Sequence, residues 1–260
     1  MVDVHAQAHQ NLCDFTLFVG GLDRTAASLH RDGIVAVRGG VDWPSTRMAV
    51  RESTDTAAAD FAAAIDDFLL GHGKSACVFV RDGVDDELDK EFETRGFQVY
   101  GGSPEMICEA RLEDRAAPEG TSVRLASTPA DITAYADIAA RAFTHLGFHE
   151  EATRATLDNP DVMLADNVAV AIAELDGNPV AGACVVMVGD EPNGYVGWVA
   201  CLDEARGRGL GDTVTRLVTN EAFARGAGIV TLEASQFGEH TYARMGYREI
   251  YRYHMLIKFG

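Results

Sequence analysis

The sequence predicts a mixed α/β fold built as two tandem domains, and three observations carry that expectation. Short apolar runs alternate with amphipathic stretches along the whole chain, the pattern of strands interleaved with helices. A charged, aperiodic segment, residues 113–121, contains Pro118 and Gly120 and divides the 260 residues into parts of ordinary domain size, 1–117 and 118–260. A glycine-dense run, Arg206-Gly207-Arg208-Gly209-Leu210-Gly211, follows an apolar strand and opens a helix.

The second part yields its elements in order. Residues 122–126 form a short strand, and Thr128-Pro129-Ala130-Asp131 starts a helix, with a capping threonine and a proline in the first turn. That helix reaches about residue 144, placing Ile132, Tyr135, Ile138, Ala139 and Ala142 on one face. A short helix covers 150–157 and a strand covers 168–175. Asp176-Gly177-Asn178 is a tight hairpin turn into a strand over 179–188. A loop at 190–194 leads to the strand 195–201. Beyond the glycine run, Val214, Leu217, Val218 and Ala222 have helical spacing. Residues 229–234 form a strand, 239–245 a helix stopped by Gly246, and 247–257 the final strand.

Composition narrows the function. The formal net charge of −18 argues against nucleic acid as a partner, because a phosphate backbone demands a basic surface. It is compatible with a cationic acceptor such as an amine, and equally with an acidic surface that serves solubility. No apolar run reaches the roughly 20 residues that span a membrane. Residues 1–10 lack a basic stretch and an apolar core, so no secretory signal is expected. His5 and His9 read as a frayed terminus. Cys13, Cys77, Cys108, Cys184 and Cys201 are scattered without metal-ligand spacing, so reduced thiols, a cytoplasmic location and no metal are expected. His145 and His149 are four apart, but Gly147 between them breaks the helix that a metal pair needs.

The glycine run carries the chemistry. Glycines at a helix start let backbone N–H groups approach an anion, and the helix dipole adds attraction. Two arginines at such a terminus are unfavourable unless an anion lies nearby. A dinucleotide-binding loop is excluded by spacing, since Asp212 stands where the third glycine of that pattern belongs and only a short chain follows.

Three segments, in order, make the second part resemble the GNAT superfamily of acyl-CoA-dependent N-acyltransferases. The first runs from Val199-Ala200-Cys201 through an acidic turn to Arg206-x-x-Gly209-x-Gly211. The second is Leu232-Glu233-Ala234-Ser235, and the third is Tyr242-Ala243-Arg244-Met245-Gly246-Tyr247, with tyrosine in place of the family's phenylalanine. The resemblance implies acetyl-CoA as cosubstrate and no metal. It implies that coenzyme pyrophosphate rests on the backbone around Arg206, Gly207, Arg208, Gly209, Leu210, Gly211 and Asp212. It implies that the pantetheine arm follows Val199, Ala200 and Cys201, at a place where the fourth and fifth strands splay, with Ser235 at the neighbouring strand end. Tyr242 is implied as the acid that protonates the departing thiolate. The base stays open among Glu233, His145, His149, Glu150 and Glu151. Cys201 reads as a strand cysteine and not as an acyl carrier, since no base is paired with it.

With Gly246-Tyr247 set over Gly96-Phe97, Tyr242 falls on Phe92 and the strands of the two parts fall in near register. The first part then reads as a degenerate copy of the same fold. Thr56-Ala57-Ala58-Ala59-Asp60-Phe61 stands where the glycine run should be, and Phe92 lacks the hydroxyl. The expectation is an N-acetyltransferase acting on a small-molecule or protein amine, without nucleic acid or membrane partners, with a monomer favoured over a homodimer. The alternative is a non-catalytic acyl-CoA sensor or interaction module.

Overall fold

The computed structural model describes residues 3–190 and 192–260. Expectations for Met1, Val2 and the Glu191 position of the 190–194 loop therefore fall outside the described residues. The chain divides into two compact units, one of residues 1–105 with 249–260, the other of residues 106–248.

The first unit opens with α1 (Val4–Leu22), capped by the Asp3 carboxylate on the His5 N–H at 3.0 Å. The sequence reading treats His5 and His9 as a frayed terminus; instead His9 is buried, with Nε2 2.9 Å from the Arg51 carbonyl and Nδ1 2.7 Å from the Tyr253 hydroxyl. Burial, the largest influence, depresses the His9 pKa to about 4, so the ring is neutral at physiological pH. Strands β1 (Ala27–Arg31), β2 (Ile34–Arg38) and β3 (Arg47–Arg51) form an antiparallel meander. The helix α2 (Ala58–Phe68) then crosses over to β4 (Ala76–Arg81), which lies parallel to β3, and α3 (Glu87–Glu93) leads into β5 (Gln98–Cys108). Phe61, Ile65, Val78, Leu88, Phe92 and Phe97 fill the core between helices and sheet.

The chain's last strand, β11 (Arg248–Lys258), pairs antiparallel with β4 from Tyr253↔Arg81 to Lys258↔Ala76. Residues 249–260 thus belong to the first unit, whereas the sequence reading places every residue from 118 onward in the second. The segment 113–121 also lies inside the second unit and not at its border.

The second unit contains β6 (Thr121–Leu125), α4 (Pro129–Ala142), α5 (Glu150–Leu157), α6 (Pro160–Met163), β7 (Val168–Leu175) and β8 (Asn178–Val188). These are followed by β9 (Asn193–Cys201), α7 (Leu210–Ala224), β10 (Val230–Glu233) and α8 (Glu239–Met245). Thr128 and Asp131 form the reciprocal capping box of α4. Asp176 and Gly177 take positive φ values of 52° and 79°, as a two-residue hairpin turn between β7 and β8 requires. β6 through β9 are antiparallel neighbours, and β10 runs parallel to β9 because α7 makes the crossover. A Cβ on Gly194 would lie 2.9 Å from the Ala222 Cβ, so glycine is what lets α7 sit close against β9.

The 113–121 segment is strapped to α7. The Asn220 side chain accepts from the Leu112 N–H at 2.8 Å and donates to its carbonyl at 3.1 Å, and the buried Arg216 donates to the Glu113 carbonyl at 2.9 Å. Both units are mixed α/β. Along the chain the order β1-β2-β3-α2-β4-α3-β5 recurs as β7-β8-β9-α7-β10-α8-β11, although all but the first residue of β11 belongs to the first unit.

Candidate active site

The site begins where β9 loses its neighbours. On one side the parallel register with β10 covers only Val230↔Gly194 and Thr231↔Tyr195, although β9 continues to Cys201. On the other side the register with β8 passes from Cys184↔Gly197 to Gly182↔Ala200, so Trp198 and Val199 together face Ala183. This is a β-bulge. Trp198 has φ 45°, an outlier for a bulky side chain. Gly197, Trp198 and Val199 are half-exposed between the buried Val196 and Ala200. The predicted splay of the fourth and fifth strands is therefore present in the register. The bulge was not legible in the sequence, because nothing in Gly-Trp-Val marks a residue with positive φ.

At the end of β9 the chain turns through Asp203–Ala205 into the glycine run. Gly207 and Gly209 take φ values of 76° and 81°, which L side chains rarely adopt, and Gly209 caps α7. Gly211 has no such need: it is helical, and a Cβ there would meet nothing within 4 Å. Its lack of a side chain leaves the first turn of α7 bare, where the first N–H groups have no intrahelical acceptor. Arg208 is exposed and forms no ion pair among the described residues, so its charge is available to an anion.

Arg206 is already engaged: it pairs with Asp203 at 3.0 Å and donates to the Cys201 carbonyl at 3.4 Å. Its Nη2 also lies 3.0 Å from His145 Nδ1. That nitrogen equally faces the Ala142 carbonyl, and only one of the two hydrogen bonds exists at a time, set by the tautomer. Asp212, in the first turn of α7, would repel an anion, but Arg216 holds it at 3.0 Å and Arg115 stands 4.0 Å away.

Tyr242 is buried on α8, with its ring against Gly238, where a Cβ would come within 2.6 Å of it. Burial pushes the phenol pKa well up, an effect that the neighbouring Thr215 hydroxyl partly offsets. The two groups do not reach hydrogen-bond geometry, and the Thr215 hydroxyl is buried without a partner among the described residues. Cys201 is half-buried, and burial raises its thiol pKa above the ordinary value, which disfavours the thiolate that an acyl carrier needs. The Ser235 carbonyl accepts from the N–H groups of Gly238 and Glu239, which starts α8.

Among the candidate bases, His149 caps α5 by accepting the Ala152 N–H at 3.3 Å, and Glu150 pairs with Arg154 at 2.9 Å. His145 lies beside the exposed Phe237 ring, 5.5 Å between centroids. Three further residues escaped the sequence reading: Tyr135, Gly182 and Cys184, all packed behind the bulge. Tyr135 was legible only as an apolar helix-face position.

Residues 132–247 match the family model described as the Acetyltransferase (GNAT) family. The matched stretch runs from α4 to the turn that follows α8. A GCN5-related N-acetyltransferase from Kribbella flavida has a similar structure at 19% identity, covering 100% of this chain and 97% of its own, with TM-score 0.72. A GCN5-related N-acetyltransferase from Sphaerobacter thermophilus covers 90% of this chain and 75% of its own at 16% identity, TM-score 0.61. A tandem GNAT protein from the clavulanic acid biosynthesis pathway covers 92% and 85% at 12% identity, TM-score 0.61. At these identities the likeness concerns the fold. No curated protein matches the chain.

Proposed function

We propose that the second unit transfers an acetyl or other short acyl group directly from coenzyme A to a primary amine. The observation that carries this reading is the succession, along one stretch of chain, of an opened strand and a bare helix start. β9 loses both registered neighbours at Trp198–Val199, and a few residues later the chain enters the glycine loop.

The residues present fit the coenzyme. The backbone from Arg208 to Asp212 would take the pyrophosphate, with Arg208 supplying a free positive charge, and Gly207, Gly209, Leu210 and Gly211 would admit close approach. Val199, Ala200 and Cys201 would offer backbone groups to the pantetheine arm, and one N–H there would polarise the thioester carbonyl. The coenzyme supplies the activated acyl group. Attack by the amine forms the C–N bond and breaks the C–S bond, and the sulfur leaves with the electron pair. Tyr242 would give its proton to that sulfur. A phenol with a raised pKa is a weak acid, but the same dry surroundings raise the basicity of the thiolate it faces. The acceptor gives its proton to a base or to water.

The net charge of −18 supports a cationic acceptor through attraction at long range. The five thiols are free, which supports a reducing compartment such as the cytoplasm. Among the described residues no helix is long and apolar enough to cross a membrane. The first unit, in this reading, is a structural copy of the same plan: Thr56 and Ala57 stand between β3 and α2 where the glycines stand between β9 and α7. The functional protein is a monomer in this reading.

The test is calorimetric titration with acetyl-CoA of the parent and of Gly211→Asp, followed by thiol release with a panel of amines. The aspartate fits open space without backbone strain, so the variant folds, yet it sets a carboxylate against the phosphates. Binding by the parent alone, with amine-dependent thiol release, supports the proposal. A folded parent that does not bind overturns it. Binding without transfer to any amine leaves the sensor alternative in its place.

A further inference from the structure

We propose that Tyr135 is a positioning residue for acyl transfer, holding the β9 bulge in the shape that presents its backbone to the thioester. This inference rests on the acyltransferase reading. Three side-chain relations converge on the bulge from α4 and β8. The fully buried Tyr135 donates its hydroxyl to the Trp198 carbonyl at 3.0 Å. Cys184 donates its thiol to the adjacent Gly197 carbonyl at 3.5 Å. Both carbonyls are thereby held by side chains at the place where the ladder is interrupted. The third relation is steric: a Cβ on Gly182 would fall 2.5 Å from Cδ2 of the Tyr135 ring, so the ring reaches the bulge only because residue 182 is glycine.

The bulge needs such a hold. Trp198 sits at φ 45°, a conformation an L residue leaves unless its surroundings fix it. Without the Tyr135 hydroxyl, the Trp198 carbonyl loses a directed donor and the peptide that joins it to Val199 is freer to rotate. Oxyanion stabilisation depends on donors fixed before the reaction, and a displacement of about 1 Å can cost about 100-fold in rate. A tyrosine that merely filled the core would affect stability alone. A positioning tyrosine affects turnover with coenzyme affinity retained, because the glycine loop is built from other residues.

The experiment compares parent, Tyr135→Phe, Trp198→Gly and the double variant by kcat, KM for acetyl-CoA, calorimetric affinity for coenzyme A, and thermal midpoint. Tyr135→Phe should lower kcat by about 10-fold to 100-fold while KM and coenzyme affinity stay within about twofold of the parent's. Glycine adopts positive φ without strain, so Trp198→Gly should reduce the penalty of Tyr135→Phe when the two are combined. If Tyr135→Phe lowers the thermal midpoint but leaves kcat unchanged, the inference is overturned and the acyltransferase reading stands. Should Tyr135→Phe not fold, Trp198→Gly in that background supplies the measurement, and a double variant that is folded with kcat equal to that of Trp198→Gly alone also overturns it. A folded parent without turnover on any amine overturns both.

Discussion

The Tyr247 N–H donates to the Tyr242 carbonyl at 3.1 Å, and in the first unit the Phe97 N–H donates to the Phe92 carbonyl at the same 3.1 Å. Between each pair stands a glycine of positive φ, 120° at Gly246 and 82° at Gly96. Each unit thus ends a short helix by the same turn and packs an aromatic pair on it, with ring centroids 6.1 Å and 4.9 Å apart. The hydroxyl is what differs at the first aromatic position.

That difference gives the first prediction. Tyr242→Phe removes one oxygen and keeps the ring against Gly238, so the fold and coenzyme affinity should be retained. Turnover should fall by about 10²–10⁴-fold, the range for loss of a general acid. Steady-state thiol release measures it, and unchanged turnover would remove Tyr242 from the mechanism.

The glycines of the loop should separate stability from binding. Gly209→Ala places a side chain at φ 81° and should destabilise by about 1–2 kcal/mol. Gly211→Ala meets open space in a helix and should be neutral or stabilising by up to about 1 kcal/mol, yet weaken acetyl-CoA binding by crowding the helix start. Urea midpoints and calorimetry on both variants check the contrast.

His254 should make stability depend on pH. Burial lowers its pKa, but hydrogen bonds from the ring to Asp82 at 2.5 Å and Asp89 at 2.6 Å outweigh this, so the folded value lies above 6.5. Both ring nitrogens donate, which requires the imidazolium. The stabilisation is therefore complete below pH 6.5 and is lost as pH rises through the folded pKa. Urea midpoints taken between about pH 6 and pH 9 should fall for the parent, and His254→Gln should flatten that part of the curve.

Asp85 should be among the costliest single losses in the first unit. Its carboxylate accepts from Arg51 Nε at 2.9 Å and from Arg81 Nε at 2.6 Å, with Arg51 and Asp85 almost fully buried. Burial pushes its pKa up, and the two guanidinium groups pull it below the ordinary value. Asp85→Ala leaves the buried Arg51 paired with the exposed Glu87 and removes the buried carboxylate from Arg81, and should cost about 3–5 kcal/mol. A loss below 1 kcal/mol in chemical denaturation would show that water reaches the arginines.

Local signals were legible in the sequence where local chemistry decides the structure. The start of the helix Pro129–Ala142, the strand Val168–Leu175 and the helix Glu239–Met245 fall where capping, turn and stop residues put them. Helix α1 was not legible, since its apolar face is ill-defined, it lacks acidic residues in its first turn, and Gly20 and Gly21 lie near its end. The glycine loop could be read because positive φ selects glycine, whereas the bulge could not, because Trp198 adopts positive φ against its own preference. The membership of residues 249–260 was hidden for another reason: alternation marks a strand but does not say which distant strand it pairs with.

That last pairing has a consequence for the order of events at the ribosome. Nascent domains usually fold as they emerge, N-terminal first. Here Ala76 is partnered by Lys258, so the sheet of the first unit stays incomplete until residues 253–258, beyond the whole second unit, have been synthesised. The edge of β4 must wait through the emergence of the entire second unit. Chaperone dependence and slow closure of this long-range ladder are the expected signature during biosynthesis.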